Sequence, residues 1–150
     1  METYSEKTGS KVNELLARTI DAKKGYEMAF ENVKDVSLKS YFDKKVTERE
    51  MFADQLKAVI GSLGEDATET EGSMQGSAHR VWMDLKTTFS VDNNEAILEE
   101  AIRGEKKAVE DYKEVLNETY LSAQAKNIIE SQLSMIQNSL ATVKSLEDIN

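Results

Sequence analysis

Apolar residues recur along this chain at spacings of three and four, the repeat of an α-helix laid against a core, and they do so in four separate runs. In the first run Val12, Leu15, Leu16, Thr19, Ala22, Tyr26, Ala29, Phe30 and Val33 fall on one face, and Ser10 or a neighbour is placed to cap the helix. The second run places Leu38, Tyr41, Phe42, Val46, Arg49, Phe52, Ala53, Leu56, Val59, Ile60 and Leu63 inward, with Ser37 as the expected N-cap and Gly64 as the glycine that ends a helix. The third extends from Glu95 to Leu116, through Ile97, Leu98, Ala101, Ala108, Val109, Tyr112 and Val115, and Asp92 with Glu95 reads as a capping box at its start. The fourth is capped by Ser122 and turns Ala125, Ile128, Ile129, Gln132, Met135, Ile136, Ser139, Leu140, Val143 and Leu146 to the core. Each helix is expected to hold roughly 23 to 26 residues, hence about 35 Å at 1.5 Å per residue.

The connections say how these helices are arranged. Two are about four residues long, which makes their helices antiparallel neighbours, while the middle one is about thirty. A plain up-and-down bundle with an insertion would not need that length. A ferritin-like bundle would, because its second and third helices run parallel and the link must travel from one end to the other. Within the link, AHRVWMDLKTTF returns to a helical pattern after the acidic, glycine-containing stretch GEDATETEGSMQGS, and a helix over Ser73 to Phe89 is expected. The expected fold is therefore all-α, a ferritin-like four-helix bundle with a long crossover between the second and third helices that contains a short extra helix. Residues 1–150 form a single domain in this reading, with 1–9 a frayed N-terminus and 64–94 the crossover.

Composition narrows the chemistry. The absence of proline, with seven glycines, suits long helices joined by few turns. A net charge of −9 disfavours nucleic acid as a partner, since phosphates need a basic face. Having no cysteine excludes disulfides, thiolate metal sites and thiol nucleophiles, and the single histidine, His79, removes most transition-metal arrangements. No apolar run is long enough for a signal peptide or membrane span, so a cytoplasmic protein is expected, self-associating through a bundle face.

The apolar faces are interrupted by Arg49, Glu105 and Gln132. Arg49 lies about as far into the second helix as Glu105 does into the third, so parallel helices bring the two to one height. A buried guanidinium and carboxylate offset each other's desolvation best by pairing, with Gln132 and the Tyr26 hydroxyl able to reach the remaining atoms. Thr19 and Tyr112 form a second, milder polar level. The competing reading has acidic residues hold a metal between helices. A positive charge beside the site opposes a dication, and Lys23 adds to that opposition, so the structural reading is preferred.

The stretches DAKKGYEMA, SYFDKKVTEREMFADQL, GSAHRVWMDLKTTF and AILEEAIRGEKKAVEDYKEVL together resemble a bacterial family of ferritin-like four-helix bundles whose domain has no assigned function, over about Val12 to Leu146. The resemblance implies a ferritin-like fold and an occasional association with stress physiology, with no established reaction. Di-iron members of the wider class take one Glu from each of two helices and a Glu-x-x-His pair from each of the others. Here Glu48 is followed at the histidine slot by Met51, and Glu130 by Leu133, while the first helix offers Asp21 and Glu27 beside its apolar face. An oxygen-only set of Glu105, Glu48, Glu130 and Asp21 would suit magnesium, calcium or manganese better than iron. The expected outcome is no cofactor and no catalysis, with a carboxylate-only metal site as the alternative. His79 and Trp82 share a face of the crossover helix, where docking onto the bundle is a simpler role than ligand binding.

Overall fold

The computed structural model describes residues 4–67 and 94–149, and the side chains of 6–67 and 94–146. Four helices make up these residues: α1 (Tyr4–Asn32), α2 (Val36–Ser62), α3 (Asn94–Glu118) and α4 (Ala123–Ile149). No strand occurs among the described residues.

Local chemistry explains where the helices start and stop. Asp35 caps α2, its Oδ1 accepting from the Leu38 amide at 3.0 Å, so the helix begins two residues earlier than a cap at Ser37 would start it. Both residues can cap, and a carboxylate at Asp35 also complements the helix dipole. At the other end Gly64 takes φ +75°, and the amides of Gly64 and Glu65 bond back to the carbonyls of Gly61 and Ile60. That pairing is a Schellman motif, and it needs a residue at ease in the left-handed region. Ser122 caps α4 through its Oγ, which accepts from the Ala125 amide at 3.1 Å. The expected capping box at Asp92 lies outside the described residues, as do the Ser73 to Phe89 helix, His79 and Trp82.

Cross-helix contacts fix the directions. The links between α1 and α2 and between α3 and α4 are short, and each joins an antiparallel pair. Lys11 meets Glu114 and Glu118, Arg18 meets Asp111, and Tyr26 meets Glu105, so α1 and α3 run in opposite directions. Because α1 opposes both α2 and α3, those two helices are parallel. Ala67 packs at the end holding Val12, Leu56, Ile60 and Val115, whereas Ile97 and Leu98 pack with Val33, Leu38 and Val143 at the other. The chain therefore leaves α2 at one pole and enters α3 at the opposite one.

Two apolar clusters fill the poles, and a polar level separates them. Leu16, Phe52, Leu56, Ile60, Ile129 and Ile136 are fully buried in the first, and Leu38, Phe42, Leu98 and Val143 in the second. Burying one such aliphatic or aromatic side chain stabilises the fold by about 1.5–3 kcal/mol before entropy is charged against it. Several positions differ from the sequence reading. Residues 4–9, expected to fray, are helical, with Thr8 and Gly9 buried. A Cβ on Gly9 would meet Glu65 Cγ at 2.8 Å, so the segment after α2 packs down on this turn and holds it. Phe30, expected inward, is exposed and lies under Lys39, whose Nζ is 4.8 Å from the ring centroid. Ile102 and Asp111 are buried although neither falls on the stripe of α3 as read from the sequence.

Candidate functional site

The polar level is built around Glu105 at the middle of α3, buried to 1 % exposure. Arg49 of α2 donates from Nη2 to Glu105 Oε1 at 2.6 Å, and the Tyr26 hydroxyl of α1 donates to the same oxygen at 2.5 Å. Three helices thus meet on one atom. The guanidinium carbon also stands 5.6 Å from the ring centroids of Tyr26 and Phe52, which shields its faces with aromatic surface. Burial pulls the Arg49 guanidinium down, but the Glu105 charge and the neighbouring tyrosines outweigh it and leave the group above its ordinary value. Burial and the Glu105 charge push the Tyr26 hydroxyl well up, so it stays a proton donor.

From Arg49 the network continues to α4. Arg49 Nη1 lies 3.8 Å from Glu48 Oε1, an ionic approach too long for a hydrogen bond. Lys45 Nζ donates to Glu48 Oε2 at 3.0 Å and to Ser139 Oγ at 2.5 Å, while Tyr41 donates to the Ser139 carbonyl at 3.3 Å. Lys45, Glu48, Arg49 and Glu105 therefore alternate in sign and balance. A Ser–Lys pair can serve as a nucleophile and base, but Ser139 Oγ lies 3.0 Å from the Met135 carbonyl of its own helix, and Glu48 holds the ammonium. This arrangement is that of a helix-to-helix tie.

A milder level lies toward the other pole. Tyr112 donates to Gln132 Oε1 at 2.6 Å, and Gln132 Nε2 donates to Gln55 Oε1 at 2.9 Å and to the Phe52 carbonyl at 3.3 Å. Burial raises the Tyr112 hydroxyl to about 12, against the opposing pull of Arg49 and a hydrogen bond with Thr19. Gln55 carries no signal in the apolar pattern that would have marked it as a partner, because it lies at the edge of the α2 stripe.

Between α1 and α3 a cleft of about 410 Å³ opens above these groups. Its walls are small: Ala22, Gly25 and Ala29 on α1 face Ala101, Gly104 and Ala108 on α3. Thr19, Asp21, Tyr26, Arg49, Glu105 and Tyr112 are among its polar lining. Charged pairs mark its rim, with Asp111 3.1 Å from Arg18 and 3.2 Å from Lys107, and Arg103 2.6 Å from Glu100. The sequence reading took Ala101 and Ala108 as ordinary core positions and missed the cleft. The signal was there in the matched run of small residues on two helices, which is legible only once the helices are known to be neighbours.

The four carboxylates considered for a metal do not come together. Glu105 is in the polar level, Glu48 is held by Lys45 at its edge, Asp21 is on the α1 wall of the cleft, and Glu130 is a surface residue 3.8 Å from Lys126. Among the described residues no three His, Cys, Asp or Glu side chains are grouped so as to hold a metal ion. Lys23, expected to add charge to the layer, instead faces Glu27 and Glu50 at 3.8 and 4.0 Å on the surface. No helix among the described residues is long and apolar enough to cross a membrane.

No curated protein matches the chain. A family model described as Domain of unknown function (DUF2383) matches residues 7–118, a span that contains α2, α3, nearly all of α1 and the whole Tyr26–Arg49–Glu105 centre. With about three-quarters of its length covered by that model, the chain belongs to this family of unknown function.

Proposed function

We propose that this protein is a ferritin-like bundle that acts as a non-catalytic structural or protein-interaction module, with an arginine–glutamate centre where members of the ferritin-like class carry metal. The observation that carries this reading is the Arg49 guanidinium bonded to Glu105 at 2.6 Å. Glu105 is the α3 carboxylate at the centre of the polar level, and a fixed cation on it repels a second one at the same place. The parallel arrangement of α2 and α3, with the chain crossing from pole to pole between them, supports the ferritin-like part. We place the chain in the cytoplasm as a self-associating protein, and the stress-associated part of the reading rests on the family resemblance.

Anaerobic loading with ferrous iron, followed by desalting and metal analysis, tests the reading. Iron well below one equivalent per chain is the expected result. One or two equivalents, lost in Glu105→Ala, would replace it with the carboxylate-only metal site. A monomer mass in light scattering at high concentration removes the self-association part alone.

A further inference from the structure

Glu105 uses only one of its two oxygens. Oε1 accepts from Arg49 and Tyr26, whereas Oε2 is buried and has no hydrogen-bond partner among the described residues. An unpaired buried acceptor is costly, and a carboxylate oxygen more so than a neutral one. Glu105 also lines the α1–α3 cleft. On the same wall, a Cβ built on Gly104 meets nothing within 4 Å. Glycine in a helix interior is unfavourable relative to alanine, and no described neighbour requires it here. Glu105, whose Oε2 has no donor among the described residues, and Gly104 thus both line one largely apolar cleft.

We propose that the α1–α3 cleft binds an uncharged, largely apolar small molecule through a hydroxyl group that donates to Glu105 Oε2. The size of the space favours a small molecule, since 410 Å³ is in the range of cofactor and drug-sized sites. Two turns of a helix with its side chains, about 10–12 Å across, would need roughly twice that volume or more. The charge pattern favours a neutral head. The cations that line the cleft, Arg18, Arg49, Arg103 and Lys107, are matched in number by Asp21, Glu100, Glu105 and Asp111, so the lining carries no net charge. An ionic head would enter a buried site with no countercharge left to meet it. The proposal goes beyond the structural role of the arginine–glutamate centre and is read by a different measurement from iron uptake.

Calorimetric titration of the full chain with 1-naphthol, and separately with 1-methylnaphthalene, tests it. One 1-naphthol per chain is expected, with the methyl analogue bound about tenfold more weakly or worse, since it leaves the carboxylate oxygen unmet. Gly104→Phe should fill the cleft and abolish binding while leaving the urea unfolding midpoint no lower than wild type. Equal affinity for the two probes, no saturable binding, or binding retained in Gly104→Phe would overturn the proposal. A lowered midpoint in Gly104→Phe with a shift in the emission of Trp82 would overturn it too, by showing that the chain itself occupies the cleft.

Discussion

Arg49 and Glu105 are a pair in which each side chain makes the other's burial tolerable. Arg49 is 2 % exposed, and without it the buried Glu105 carboxylate would have only the Tyr26 hydroxyl as a hydrogen-bond partner among the described residues. Arg49→Ala is therefore expected to cost about 3–5 kcal/mol in urea denaturation. The double replacement Arg49→Met with Glu105→Leu should cost far less, because it removes both charges and retains volume. A double replacement as damaging as the single one would show that the hydrogen bonds, and not the stranded charge, dominate. The tyrosines of the layer predict behaviour at high pH. Burial raises the hydroxyls of Tyr26, Tyr41 and Tyr112, the last from 10 to about 12. Between those values the unfolded chain gives up a proton that the folded chain retains, so stability is fully present below pH 10 and falls as the pH rises toward 12. Thermal melting across that window should show the decline, and Tyr112→Phe should flatten its slope.

At the scale of the helices, much was legible from residue pattern. The apolar stripes locate all four elements, and Gly64 and Ser122 mark a true end and a true start, because glycine conformation and hydroxyl capping are local effects that neighbours rarely override. Gly64→Ala should lower stability by about 1 kcal/mol in thermal denaturation, since its φ of +75° is strained for any residue with a Cβ. Legibility failed where a residue's role depends on a different helix. Asp35 and Ser37 are equally good caps on paper, and the N-terminal turn is helical because Gly9 meets the segment after α2. Asp111 looks like surface charge until Arg18 of α1 is placed 3.1 Å from it. The cleft is the extreme case. Small residues on one helix are merely small, and they become a wall only opposite their counterparts.

At the scale of the whole molecule, the described residues form two helical hairpins, α1–α2 and α3–α4, with the chain leaving the first and entering the second at opposite poles. Connection lengths in the sequence pointed to that arrangement, and the cross-helix pairs establish it from Lys11–Glu118 to Tyr26–Glu105. Where metal chemistry is concerned, the sequence could show that histidines are absent from the expected slots. It could not show that Glu130 lies on the surface at Lys126 while Glu105 is in the core, because both are glutamates within amphipathic helices. The polar layer divides along the same seam. Arg49–Glu105, Tyr26–Glu105, Tyr112–Gln132 and Lys45–Ser139 include three ties between hairpins, and only Tyr112–Gln132 stays within one. Such ties do not distinguish a partner hairpin of the same chain from that of a second copy. Two chains that exchanged hairpins would rebuild every one of these contacts, so the layer specifies how the halves fit and not which chain supplies them.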